Sequence, residues 1–168
     1  MKEKLRLGFA PTRRFVFSKE DAFKFKNLTR EKIGQAGIDV VDLEGINAEG
    51  LLYDNDTDAD KIIKRFKDAD VDAVFFPHCN FGTEDTVARV AKAVGKPVLL
   101  WGPRDEDPLP DGFRLRDTQC GFLLPAKCCA ASMCPSPTSS TASSTAWSST
   151  AVWQISWRSE ERRVRKLC

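Results

Sequence analysis

Three short stretches concentrate residue types that hold or transform small molecules. They are Pro11-Thr12-Arg13-Arg14, then Pro77-His78-Cys79-Asn80-Phe81-Gly82-Thr83-Glu84, then Trp101-Gly102-Pro103-Arg104-Asp105. An arginine offers a rigid fork of donors for a carboxylate, a phosphate or vicinal hydroxyls. Asn80 supplies a donor and an acceptor on one side chain. Phe81 and Trp101 offer apolar faces, and Gly82 lets backbone come close. Thr83 opens a helix whose free N–H groups favour anions, with Glu84 in its first turn. Together these suit a small hydroxylated or anionic ligand.

Each residue also has a plainer role. Arg13 and Arg14 are as much at home as solvated charges, and His78 as a hydrogen-bonded structural histidine. Packing is the favoured role for Cys79, because its only candidate base is the adjacent His78, and neighbours on extended chain point to opposite sides. Trp101 reads more readily as core, and Asp105-Glu106-Asp107 as a solvated charge run. His78 is the single histidine of the chain, which excludes mechanisms needing two. Neither GxGxxG nor the Walker lysine is present, so nucleotide binding has little support.

The elements that must position these residues alternate between strand and helix. Short apolar runs at Leu5–Phe9, Ile38–Leu43, Val71–Phe76 and Val98–Trp101 read as strands. Ser18 caps a helix that can bury Ala22, Phe25, Thr29, Ile33 and Ala36, and Gly37 is placed to end it. Ala59, Ile62, Ile63 and Phe66 follow the helical template from Thr57 or Asp58 onward, as do Val87, Val90, Ala91 and Val94 from Thr83. Strand starts fall about 30 residues apart, the spacing of right-handed βαβ units. The expected fold is α/β: a flavodoxin-like, doubly wound parallel sheet in a three-layer sandwich, with a fifth strand at Phe113–Asp117. Ligands of such sheets bind beyond the carboxyl ends of the strands, where the loops 10–17, 44–56, 77–83 and 102–112 meet.

Composition divides the 168 residues near Gly121. Residues 1–120 hold 20 basic and 22 acidic residues and one serine, Ser18, whereas 121–168 hold 6 basic, 2 acidic and ten serines, with four of the six cysteines. The overall charge of +2 argues for neither a nucleic-acid nor a membrane-surface partner. The N-terminus lacks a signal-peptide core, and no run approaches the roughly 18 apolar residues of a membrane helix. A cytoplasmic location is expected.

The stretches LGFAPTRR (7–14), FFPHCNFGTEDTVARVAK (75–92), PVLLWGPRDEDPLPDG (97–112) and RLRDTQCG (114–121) resemble the N-terminal domain of L-fucose/L-arabinose isomerase-type proteins over residues 4–121. The most specific element runs from Pro77 to Glu84. The resemblance implies an aldose–ketose isomerase of carbohydrate metabolism, acting on a free pentose or deoxyhexose. A divalent metal, usually manganese, holds two sugar oxygens while carboxylates move protons between carbons 1 and 2. The resemblance places the metal ligands in later domains, so no metal and no catalytic residue is expected here. It also implies a homo-oligomer in which this domain walls a neighbour's active site. Arg13 or Arg14 and the Pro77–Glu84 loop would then contact sugar hydroxyls, with Trp101 and Arg104 alongside. Some members carry a tryptophan where Cys79 stands, which removes a stacking contact.

The chain is expected to divide into an α/β isomerase-type domain, 1–121, and a Ser/Thr-rich tail, 122–168, that is not a domain. The tail repeats SSTA at 139–142, 143–146 and 148–151 and shows no capped helix or alternating strand. The spacing of Cys128, Cys129 and Cys134 is not a standard zinc pattern. RSEERRVRKLC matches RSEERRVGKEC, the translation of a common sequencing-library adapter, at nine of eleven positions. A frameshift after Gly121 running into adapter accounts for this, and such a tail is expected to be poorly packed or disordered. Alone, the chain is expected to be inactive as an isomerase. The alternative is a non-enzymatic flavodoxin-like module that binds a sugar or an anion.

Overall fold

A computed structural model describes residues 4–123 and two strands at 152–158 and 161–167. The elements run β1 (Arg6–Phe9), α1 (Lys19–Gln35), β2 (Asp39–Val41), α2 (Asp56–Asp68), β3 (Ala73–Pro77), α3 (Glu84–Val94), β4 (Val98–Trp101), β5 (Val152–Arg158) and β6 (Glu161–Leu167). The sheet order is β2-β1-β3-β4-β5-β6, parallel from β2 to β5, with β6 antiparallel at the edge. The first five follow the flavodoxin-like order, as expected for an α/β doubly wound sheet.

Local chemistry sets the helix ends. The Ser18 hydroxyl accepts from the Asp21 amide, and the Asn55 side chain accepts from the amides of Thr57 and Asp58, so α2 starts at Asp56. Gly95 closes α3 in the left-handed region at φ 68°.

Alternation along the strands assigns the two faces. Val74, Phe76, Val98 and Leu100 point to the α2–α3 side and pack with Ile62, Phe66, Val87, Val90 and Ala91. A Cβ on Gly8 of β1 would lie 3.2 Å from the Phe66 ring, so glycine lets that ring lie close against the sheet. Leu7, Phe9 and Phe75 point to the other side, with Ile33, Leu99 and Trp101 partly buried around them. This two-sided burial is why the third strand reads as an unbroken apolar run.

Helix α1 departs from the expected stripe. Its buried residues are Ala22, Lys26 and Thr29, while Phe25 and Ile33 are half-buried and Ala36 is exposed.

The strand expected at Phe113–Asp117 is absent from that position. Phe113 donates to the Asp111 side chain, Leu115 accepts from the Ser18 amide, and Asp117 donates to the Asn80 carbonyl. These backbone groups are committed to loops above the sheet, so the segment folds over the strand ends instead of lining up beside β4. It leads into a helix at 118–123. The expectation that the tail holds no strand is corrected too: the place beside β4 is taken by β5, a tail segment rich in aromatic and β-branched residues, with β6 paired beyond it. The rest of the tail, with the packing expected of it, lies outside the described residues.

Candidate functional site

The strand order reverses between β1 and β3, and the chain beyond their carboxyl ends is stitched into a single platform. Thr12 forms parallel bridges to both Leu52 and His78. Its amide donates to the Pro77 carbonyl at 2.9 Å, and its carbonyl accepts from the Cys79 amide at 3.2 Å. The Leu52 amide donates to the Pro11 carbonyl at 2.8 Å. Loops from β1, β2 and β3 therefore continue the sheet by one more layer, which holds their side chains in fixed register.

Arg14, Asn80, Phe81 and Glu84 come together on this platform. Arg14 is paired with Glu84, reaches Asp54 at 3.5 Å, and sits over the Phe81 ring at 4.9 Å. Its side chain keeps 36% of its exposure, so it stands at the rim. Asn80 is buried and acts as a clasp. Its carbonyl oxygen accepts from the Arg14 amide at 2.9 Å, and its amide donates to the carbonyls of Arg14 and Ser18. Phe81 stacks on Phe17 at 5.0 Å. Asp54 also accepts from the Thr86 hydroxyl at 3.3 Å, which ties the rim to α3.

Arg13 points elsewhere. It is buried and paired with Glu49, beneath Phe15. Glu49 also receives Lys19 at 2.8 Å and the Tyr53 hydroxyl. Burial alone would raise the Glu49 carboxyl, but the hydrogen bonds from Lys19, Tyr53 and Arg13 outweigh it and hold the pKa at about 2. Burial, then the Glu49 charge, push the Tyr53 phenol well above its ordinary value.

His78, Cys79 and Thr83 lie below the rim, fully buried. The Thr12 hydroxyl has one hydrogen, which goes to the Phe81 carbonyl at 2.6 Å. It must therefore accept from His78 Nδ1 at 2.9 Å, and proton accounting leaves Nε2 as a bare acceptor in the neutral ring. Burial pushes the His78 pKa down to about 3. Burial likewise pushes the Cys79 thiol up to about 12, against the pull of Arg116 and Lys26, and the residue packs with Ala22 and Leu51. Neither group is poised for acid–base or nucleophilic work at neutral pH. Trp101 packs against Phe75 on the α1 side of the sheet, and Arg104 is exposed on the loop after β4.

Sequence reasoning missed the residue that organises these loops, Arg116. Its side chain is fully buried. It donates to Glu106 at 2.8 Å and to the Arg104 carbonyl at 2.7 Å, reaches the Cys79 carbonyl at 3.5 Å, and lies 3.7 Å over the Phe25 ring. The reading of Asp105-Glu106-Asp107 as a solvated run is corrected accordingly. Glu106 is Arg116's partner, and Asp105 caps the helix at 118–123 by accepting from the amides of Thr118 and Gln119. That helix docks tightly: a Cβ on Gly121 would fall 2.3 Å from the Gly82 amide nitrogen, so only glycine fits. Lys26, also missed, is buried and donates to Glu44 at 2.6 Å and to the Glu49 carbonyl at 2.7 Å. Lys26 does follow Ala22 and precede Thr29 at helical spacing, a signal that the face is not wholly apolar.

A divalent metal finds no fitting donor set among the described residues. Glu49, Glu84 and Asp54 are each held by cations, His78 is sealed below them, and no three metal-ligating side chains converge. A groove of about 570 Å³ beside α2 is lined by Gly45, Ile46, Lys61, Lys64, Arg65 and Asp68, and by none of the residues of the Arg14 rim. Its cations are engaged, Lys64 by Asp68 and Arg65 by the carbonyls of Asp42 and Glu44. Among the described residues no helix is long and apolar enough to cross a membrane.

No curated protein matches the chain. A family match covers residues 8–148, running past Gly121 into the serine-rich stretch. That match takes in most of the sequence, including the platform, its rim arginine and the Arg116 clamp, and the chain belongs to the family described as fucose/sulfoquinovose isomerase, N-terminal domain.

Proposed function

We propose that this domain forms part of the sugar-binding wall of an aldose–ketose isomerase, L-fucose/L-arabinose isomerase-like, and that it binds and orients without moving protons. The carrying observation is the rim group in which Arg14, held between Glu84 and Asp54 over Phe81, keeps part of its side chain exposed beyond the β1 and β3 strand ends. Such a group can donate to one sugar hydroxyl from Arg14 and accept from another at Glu84 or Asp54. The buried Asn80 clasp and the Arg116 clamp keep those atoms in place, the preorganisation that orientation requires.

The chemical step, and the divalent metal of the family, are assigned to other parts of the complete enzyme, since the donors described here do not fit a metal. Phe15 and Val16 are 72% and 68% exposed beside the rim, the kind of apolar patch a neighbouring domain or subunit covers, which supports a homo-oligomer. The setting proposed is the cytoplasm.

Two measurements test the proposal together. The purified 168-residue protein should give no ketose from L-fucose or L-arabinose with manganese. It should still bind L-fucose weakly by titration calorimetry, and Arg14→Ala should abolish that binding while leaving the circular dichroism unchanged. Turnover by the purified chain, or unaltered binding in the variant, would contradict it.

A further inference from the structure

The family description names two sugars of different charge: fucose is neutral, whereas sulfoquinovose carries a sulfonate. The strand-end face distinguishes them by its own charges. The loops 10–17, 44–56, 77–83 and 102–112 hold three arginines and eight carboxylates. Five cations of this edge already meet partners. Arg13 is paired with Glu49, Arg14 with Glu84 and Asp54, Lys19 with Glu49, Lys26 with Glu44, and Arg116 with Glu106. Arg104, exposed, precedes Asp105, Glu106 and Asp107 in the chain. The positive end of α3 faces two carboxylates of its own first turn, Glu84 and Asp85. A sulfonate entering at the Arg14 rim would have to displace Glu84 or Asp54 from that arginine.

Resting on the reading of this face as a sugar wall, we infer that it takes a neutral sugar and turns away one bearing a sulfonate. Glu84 is the specificity-determining residue, because it pairs with Arg14, the guanidinium at the β1/β3 rim that an anion would otherwise claim. Neutral hydroxyls face no such conflict, since a sugar can donate to Glu84 while accepting from Arg14.

The test compares L-fucose with sulfoquinovose on the 168-residue protein at low ionic strength. Sulfoquinovose should bind at least about tenfold more weakly, and the gap should narrow in about 0.5 M salt, where screening is short-ranged. Glu84→Gln, which frees Arg14 without changing its shape, should narrow the gap severalfold, and Asp54→Asn should act in the same direction if Glu84→Gln fails to fold. Equal or tighter binding of sulfoquinovose by the unaltered protein overturns the inference, as does a ratio unmoved by either folded variant. Binding of neither sugar removes the sugar wall itself and the inference with it. Equal binding of both keeps the wall and rejects only the selectivity.

Discussion

The two faces of the sheet are built on different principles. The α2–α3 face is a continuous apolar layer in which Phe66, Phe76, Ile62 and Leu100 are all fully buried. Beyond Leu7, Phe9 and Phe75, the α1 face buries charge: Lys26 on the helix and Arg116 under the loops, both in hydrogen-bonded pairs. Apolar packing tolerates small shifts and holds the fold, whereas a buried cation is tolerated only where its partners are correctly placed. The α1 face thus fixes loop geometry, and those are the loops that carry the rim.

Substitution can separate the two roles. Phe66→Ala should cost about 3–5 kcal/mol in urea denaturation, by lost burial and the cavity left under Gly8. Because its effect is confined to the apolar face, L-fucose affinity should be unchanged at temperatures where the variant remains folded. Arg116→Met keeps the volume but leaves the carbonyls of Cys79 and Arg104 without a donor, and should cost about 3 kcal/mol. Unlike the first variant, it should also weaken sugar binding in the folded protein, because the loops it ties are the ones that frame the rim. A variant that lost stability with affinity intact would make Arg116 a packing residue only.

A third way to sharpen the contrast is pH. His78 is buried neutral under the rim with its pKa near 3, whereas an unfolded histidine titrates near 6.5. Between those values the unfolded chain binds the extra proton, so stability should fall as pH drops from about 6.5 toward 3, by up to about 1.4 kcal/mol per unit. His78→Gln should flatten that slope. Glu49 acts lower: its carboxylate, held at about 2, adds stability that is complete above the ordinary glutamate range and lost as pH falls through about 2. Acid denaturation followed by fluorescence checks both windows.

The apolar face was legible in the sequence because periodicity reports it directly. Ala59, Ile62 and Phe66 at helical spacing, and Val98 to Trp101 as a short strand, fall where the pattern put them. The other face was not, because burial of Lys26 and Arg116 depends on partners 18 and 10 residues away in sequence, Glu44 and Glu106. No local pattern encodes that pairing. The same blindness placed a strand at Phe113–Asp117, where alternating charges are in fact drawn over the strand ends. Of the strand-end residues, Arg14, Asn80, Phe81 and Glu84 are gathered at one place. Arg13 turns to Glu49, Trp101 to the core, and His78, Cys79 and Thr83 lie beneath. Types and spacing could nominate all of these, but only the register of the Thr12 bridges decides which face the crevice.

That a sugar meets the β1/β3 crevice is tested most directly by amide chemical-shift mapping of the ¹⁵N-labelled 168-residue protein with L-fucose. Saturable shifts should centre on Arg14, Asn80, Phe81 and Glu84, with Asp54 at their edge and the α2 groove residues Lys61, Lys64 and Arg65 unmoved. Shifts confined to that groove, or none at sugar concentrations well above those a weak site requires, would contradict it.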